Sequence, residues 1–145
     1  MSVYQEAKKY RSDFPLTIAW RLKAHSEVIE RHLNPDEEVL FVCCGQHSPK
    51  MYDFFTSCVV AITSQRILIG TKRVFFGYAL DSVMPYMFND LNVRGGVFWG
   101  KVTIDTIKEH VTISKIDVNA LDEVETGISE NMMRLKKEYK DNQND

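Results

Sequence analysis

Apolar positions change period twice along this chain, dividing it into a helical entry, a run of strands and a helical close. Between Phe14 and Leu33, Ile18, Leu22, Ile29 and Leu33 recur at helical spacing, with Arg21, Lys23, Glu27, Glu30 and Arg31 elsewhere around the wheel. This predicts one helix capped by Asp13, with Pro15 in its first turn where amide donors are free, ending at Asn34 before Pro35. From Glu38 the helical period is lost. Val39 to Cys44 is apolar, β-branched or small throughout, which suits a strand partly buried on both faces. Gln46 to Asp53 reads as a loop. Thr56 to Thr63 and Arg66 to Gly70, separated by Ser64-Gln65, read as a hairpin.

Further on, Tyr78 to Met84 reads as a strand with Pro85 at its end or at a sheet edge, because proline cannot donate to a ladder. Leu91 and Val93 alternate with polar partners up to a turn at Arg94-Gly95-Gly96-Val97. Phe98, Gly100, Val102 and Ile104 then alternate with Trp99, Lys101, Thr103 and Asp105, and Val111 and Ile113 resume the pattern after Lys108-Glu109. The final helix starts near Asn119, its stripe Leu121, Val124, Ile128, Met132 and Leu135 falling at spacings of three and four. Acids near its start and bases further along complement the helix dipole. Gly127 beside that stripe implies close approach to the surface beneath, and past Glu138 the chain reads as a frayed polar tail.

Strands in succession without intervening helices exclude a parallel βαβ sheet. What remains is a mainly β (α+β) fold, either a sandwich or a small, partly open antiparallel barrel, with an apolar helix face to cover it. A length of 145 residues fits a single domain, 1–145, with an N-terminal extension at 1–33, the strands and closing helix at 34–138 and the tail at 139–145. Apolar content of 44% and charged content of 26% are those of a globular chain. The net charge of −2 speaks against nucleic-acid binding by bulk phosphate neutralisation. Met1 to Asp13 is polar, without the apolar stretch of a signal peptide, and Cys58 to Ile62 is far too short to span a membrane. Three cysteines without a secretion signal read as reduced thiols, and the expected location is cytoplasmic.

Three segments resemble the bacterial pleckstrin-homology-like domains of the YokE-like type. Leu33-Asn34-Pro35-Asp36-Glu37-Glu38-Val39 is similar to that family's entry into its first strand, where an acid precedes an apolar run. Ile62-Thr63-Ser64-Gln65-Arg66-Ile67-Leu68 resembles its hairpin, in which an arginine follows a threonine by three residues. The last strand pair running into the helix at Asn119 to Glu138 resembles its C-terminal cap. The resemblance covers roughly Leu33 to Glu138 and implies a PH-like barrel of about seven strands capped by the C-terminal helix, with the N-terminal helix as an addition. It names a scaffold that serves lipid, peptide and protein binding alike, so function has to be argued from sites.

In phosphoinositide-binding PH domains, several cations line the first two strands and the loop joining them. Here that loop offers Lys50 and His47 against Asp53, with Lys72 and Arg73 available from the next turn. So few cations make a thin phosphate pocket, and solvated loop charge is the simpler reading. Met51, Tyr52, Phe54 and Phe55 form an aromatic cluster that is a contact patch if exposed, or the start of the second strand if it faces the core. Val74, Phe75, Phe76 and Trp20 pose the same question. On a strand, Cys43 and Cys44 point to opposite faces and cannot share one metal, so they read as small buried hydrophobes. His25 falls near the first helix's stripe and reads as packed, while His110 sits beside a turn in solvent. No nucleophile elbow, HExxH or phosphate-loop pattern occurs, and no catalytic residue, metal or cofactor is expected. The expectation is a noncatalytic interaction module whose partner is a protein. Self-assembly and recruitment to an anionic membrane through Lys50, Lys72 and Arg73 are the alternatives.

Overall fold

The computed structural model describes residues 2–47, 57–74 and 76–143. Two helices come first, α1 at Val3–Asp13 and α2 at Leu22–Glu30. Seven strands follow: β1 Val39–Gln46, β2 Ser57–Thr63, β3 Ile67–Lys72, β4 Tyr78–Val83, β5 Phe88–Gly95, β6 Trp99–Thr106 and β7 His110–Asp117. The long helix α3, Leu121–Gln143, closes the chain. The strands form one antiparallel sheet in the order β4-β3-β2-β1-β7-β6-β5. It curls into a half-barrel whose free edges are β4 and β5, joined by a single 3-10 turn at Pro85–Met87. Pro85 thus ends an edge strand, as its missing donor requires.

The entry departs from the single helix expected over Phe14 to Leu33. Residues 14–21 are a linker between two helices, so Trp20 lies outside any helix. The polar segment before it is helical: Ser2 and Gln5 form a reciprocal capping box, and Val3, Ala7 and Tyr10 make a narrow buried stripe. Asp13 therefore ends a helix instead of starting one, and Pro15 stops α1 by restricting Phe14. Tertiary hydrogen bonds then compete successfully with helix formation in the linker. The Ile18 N–H donates to the Lys115 carbonyl at 3.0 Å, and Asp117 N–H donates to Thr17 Oγ1 at 3.0 Å. Arg21, left-handed at φ 54°, redirects the chain into α2.

These helices explain the unbroken apolar strands. Every residue of β2 is buried, a pattern that needs both faces covered. On one face, α2 packs against β3 and β2 while α1 packs against β1. Gly70 of β3 is the contact point, since a Cβ there would lie 2.7 Å from Ile29 of α2. On the other face α3 crosses the half-barrel with Val124, Ile128, Met132 and Leu135 buried. Gly127 rests on the Phe41 ring, which a Cβ would meet at 2.8 Å, confirming the close approach read from the stripe. Lys136 Nζ donates to the Phe88 carbonyl at 2.8 Å, and the helix runs on past Glu138 to Gln143.

Candidate interaction face

Two of the family-like segments meet in space. Glu37, whose side chain is fully buried, accepts hydrogen bonds from Arg66 Nε at 3.0 Å and Nη2 at 3.1 Å, and from Thr63 Oγ1 at 2.5 Å. Thr63 Oγ1 in turn accepts the backbone N–H groups of Gln65 and Arg66, closing the Ser64-Gln65 turn without a glycine. Burial alone would raise the Glu37 carboxyl, but the donors from Arg66, Thr63 and Asn34 outweigh it and hold it below the ordinary value. Arg66 also donates to the His32 carbonyl, tying the end of α2 to the hairpin. This constellation is consumed in holding the fold together.

The linker and the β5–β6 hairpin form a second constellation with the opposite character. Trp99 Nε1 donates to the Leu16 carbonyl at 2.6 Å, and the Leu16 N–H donates to buried Asp117. Further along the linker, Gln46 Nε2 donates to the Ile18 carbonyl and the Trp20 N–H donates to Ser57 Oγ. The backbone of the linker is thus anchored while its large side chains remain outside. Leu16 and Trp20 are exposed, as are Val97 and Phe98 at the hairpin end, 83% and 58% accessible. The Phe98 and Trp99 rings meet edge-on, their centres 5.9 Å apart.

Cations surround this apolar corner. A shallow pocket of about 320 Å³ lies between β5, β6 and β7, lined by Arg94, Lys101 and Lys115 with Trp99, Ser114 and three glycines. Its lining contains no carboxylate. Lys115 adopts the left-handed region at φ 57°, which bends β7 at the bulge opposite Gly100 and Val102 and sets its ammonium 5.6 Å from the Trp99 ring centre. Among the described residues, the Arg94 and Lys101 side chains make no ion pair or hydrogen bond. The alternation read from sequence holds from Trp99 to Thr106, with Gly100, Val102 and Ile104 inward. Phe98, which that alternation turned inward, instead stands exposed, because the strand begins one residue later and Gly96 N–H closes the turn on the Trp99 carbonyl.

The model of the family described as "Bacterial PH domain" matches residues 33–130. The chain belongs to this family. Among solved structures it is similar to a pleckstrin homology domain from Shewanella amazonensis SB2B, 18% identical over 83% of this chain and 90% of that one, with a TM-score of 0.46. It is also similar to a DUF1696 family protein with a pleckstrin-homology domain from Shewanella loihica PV-4, 12% identical over 77% of this chain and 89% of that one, with a TM-score of 0.49. No curated protein matches the sequence.

For this PH domain the residues expected to make contacts divide between described and undescribed segments. Lys50, Met51, Tyr52, Phe54 and Phe55 lie outside the described residues, as does Phe75. Lys72 is half-buried at the end of β3. Its N–H donates to His25 Nδ1 at 2.8 Å and its carbonyl accepts from Arg21 Nη1 at 3.0 Å. The cavity beside it, about 410 Å³, mixes Arg21, Arg31 and Lys72 with Glu27 and Glu30, so it lacks the single sign of charge that a phosphate pocket needs. Arg73 is exposed, and its N–H closes the β3–β4 turn on the Gly77 carbonyl. Val74 and Phe76 in that turn are exposed too.

The three cysteines and His25 are buried within the fold. Desolvation, with smaller effects from neighbouring thiols, pushes Cys43 and Cys58 up, and burial pushes Cys44 up to about 12, so the thiolates needed for nucleophilic or redox work are suppressed. His25 is buried and packed, as the sequence suggested. Burial, reinforced by the Arg21 cation, lowers it to about 4, which suits its Nδ1 acceptor role. His110 is exposed, 3.2 Å from Asp105. Among the described residues no helix is long and apolar enough to cross a membrane. The β5–β6 corner is hidden in the sequence because Arg94-Gly95-Gly96 reads as a turn. The available signal was the apolar triplet Val97-Phe98-Trp99 placed directly after it and flanked by Arg94 and Lys101.

Proposed function

We propose that this bacterial PH domain is a noncatalytic protein-contact module that works through the corner built by the linker and the β5–β6 hairpin. The observation that supports it is the combination of exposed Leu16, Val97, Phe98 and Trp99 with Arg94, Lys101 and Lys115, on a backbone anchored from several strands. A rigid aromatic centre with a cationic rim is the composition of a binding hot spot, and a contact surface needs no reactive group. The same corner also has the chemistry of an interfacial anchor, apolar tip plus cations, so the test separates protein from membrane.

A photoreactive phenylalanine analogue replacing Phe98, activated in the cells that make the protein, is expected to yield discrete protein adducts. Lys101→Glu is expected to deplete them. Absence of adducts, together with co-sedimentation of the purified chain on anionic vesicles, would overturn the reading in favour of a membrane.

A further inference from the structure

The three cations beside the hairpin corner stand in a row across the outer face of the sheet. Arg94 of β5 pairs directly with Lys101 of β6, and Lys115 falls at the β6–β7 bulge on the other side of Lys101. Like charges placed opposite one another in a sheet repel, so this row works against the fold that carries it. Among the described residues no acid is paired with any of the three. The next row along the strands is the neutral set Asn92, Thr103 and Thr112, with Asp90 and Asp105 beyond it. Asp117, close by at the end of β7, is buried and accepts the N–H groups of Leu16 and Asn119. Lys115 adds a second cost. It holds a left-handed backbone that glycine or asparagine adopts more readily, and the Ile18 N–H fixes it there by donating to its carbonyl at 3.0 Å. Backbone strain kept at one spot is a feature of ligand sites, and repulsion kept there is relieved by an anion.

The anion has to suit a row instead of a point. A phosphoryl group is gripped by donors that converge on it, backbone N–H groups among them. Here the cations sit on three strands spaced by about 4.8 Å, over a shallow floor, and the Gly96 N–H is already given to the Trp99 carbonyl. An extended peptide with carboxylates on alternate residues sets them about 7 Å apart on one side, which spreads its charge as the row does. We infer that the partner of this domain is another protein whose docking segment is extended and acidic, its carboxylates lying on Arg94, Lys101 and Lys115 and an apolar residue beside them against Phe98. This rests on the protein-contact reading above and names the partner's chemistry. The carboxylates turn a repulsive row into charge-assisted pairs next to the Trp99 ring, and the apolar contact supplies the hold. Charge sets the orientation and the rate of approach, so binding weakens as salt screens it.

The probe is a fluorescein-labelled peptide, Glu-Ser-Glu-Ser-Glu-Ser-Leu, titrated with the full chain at low salt and read by fluorescence anisotropy. Saturable binding that falls with added salt is expected. Replacing its glutamates by glutamines, or introducing Arg94→Met with Lys101→Met in the protein, is expected to weaken binding roughly tenfold or more. Lys137→Met with Lys140→Met, which removes the same charge from the exposed side of α3, is expected to leave binding unchanged. Phe98→Ser is expected to weaken binding while keeping its salt dependence. Unchanged circular dichroism and melting confirm that the variants fold. A peptide that fails to bind, or that binds both double variants alike, overturns the inference. So does inorganic phosphate that displaces the peptide more effectively than sodium chloride at equal ionic strength, or a Phe98 adduct of twice the chain mass. The adducts also separate the two failures. If the peptide does not bind but Phe98 still yields adducts with a different protein, the contact module stands without its acidic partner. If Phe98 yields none and the chain co-sediments on anionic vesicles, both readings fall.

Discussion

The β2–β3 turn and the β5–β6 turn both connect neighbouring antiparallel strands, and both carry arginine. At the first, Arg66 is drawn onto Glu37 and the His32 carbonyl, and Thr63 satisfies the turn's own N–H groups. At the second, Arg94 and Lys101 stand beside a pocket without a carboxylate in its lining, and Val97 and Phe98 face solvent. The difference lies in what surrounds them. A charge that has been desolvated and paired holds structure and is unavailable to a partner, whereas hydrated, unpaired charge next to exposed apolar surface adds little to stability and stays available to another molecule. Charge count alone does not separate the two turns.

The largest test of that contrast is to remove one partner of the buried pair. Arg66→Met strands a buried carboxylate and is expected to cost about 3–5 kcal/mol in urea denaturation. A loss below about 1 kcal/mol would show that the pin is ornamental.

Acid sharpens the contrast by separating two buried groups. The unfolded chain protonates His25 near pH 6.5 and the folded chain only near 4, so between these values the unfolded state binds more protons. Stability is full above pH 6.5 and falls toward pH 4 by about 3 kcal/mol. Glu37 is lowered as well, but from a lower starting point: its contribution is present above about pH 4.5 and is lost at lower pH, as its depressed folded pKa is passed. His25→Gln is expected to flatten the upper window and leave the lower one. Equal slopes in the two proteins would rule His25 out as the source.

Gly127 tests the seat of α3 on β1. Gly127→Ala adds a methyl group at 2.8 Å from the Phe41 ring, an overpacking that exceeds the gain in helix propensity and leaves a net loss of about 1–2 kcal/mol. A thermal melt that rises with this substitution would show that Phe41 yields freely. The smallest expected effect lies at the second turn. Arg94→Met with Lys101→Met should change stability by no more than about 0.5 kcal/mol, since among the described residues neither side chain makes an ion pair or hydrogen bond. A larger loss would mean that these cations are structural after all.

Much of the architecture was legible because it depends on local periodicity. The α3 stripe and the alternation through β6 follow from side-chain spacing, which acts within a few residues, whereas the helix expected to end at Asn34 before Pro35 ends at Glu30. The Glu37 and Thr63-to-Arg66 segments were legible as a family resemblance, but their meeting was not, since they are brought together by strand pairing. The linker misled the helical pattern for a related reason. Ile18 and Leu22 are correctly spaced for a helix, yet Thr17, Ile18 and Trp20 find hydrogen-bond partners on β7 and β2 that lie far away in sequence.

By itself the sequence determined that the chain is a run of antiparallel strands closed by an amphipathic helix, with Val39 to Cys44 apolar enough to be partly buried on both faces. Only the tertiary structure decided what covers the second face, which charges are consumed and which stay free. Periodicity is written into neighbouring residues. Burial and pairing of charge depend on which distant segments arrive beside them, and here that separates the pinned Arg66 from the open corner at Arg94.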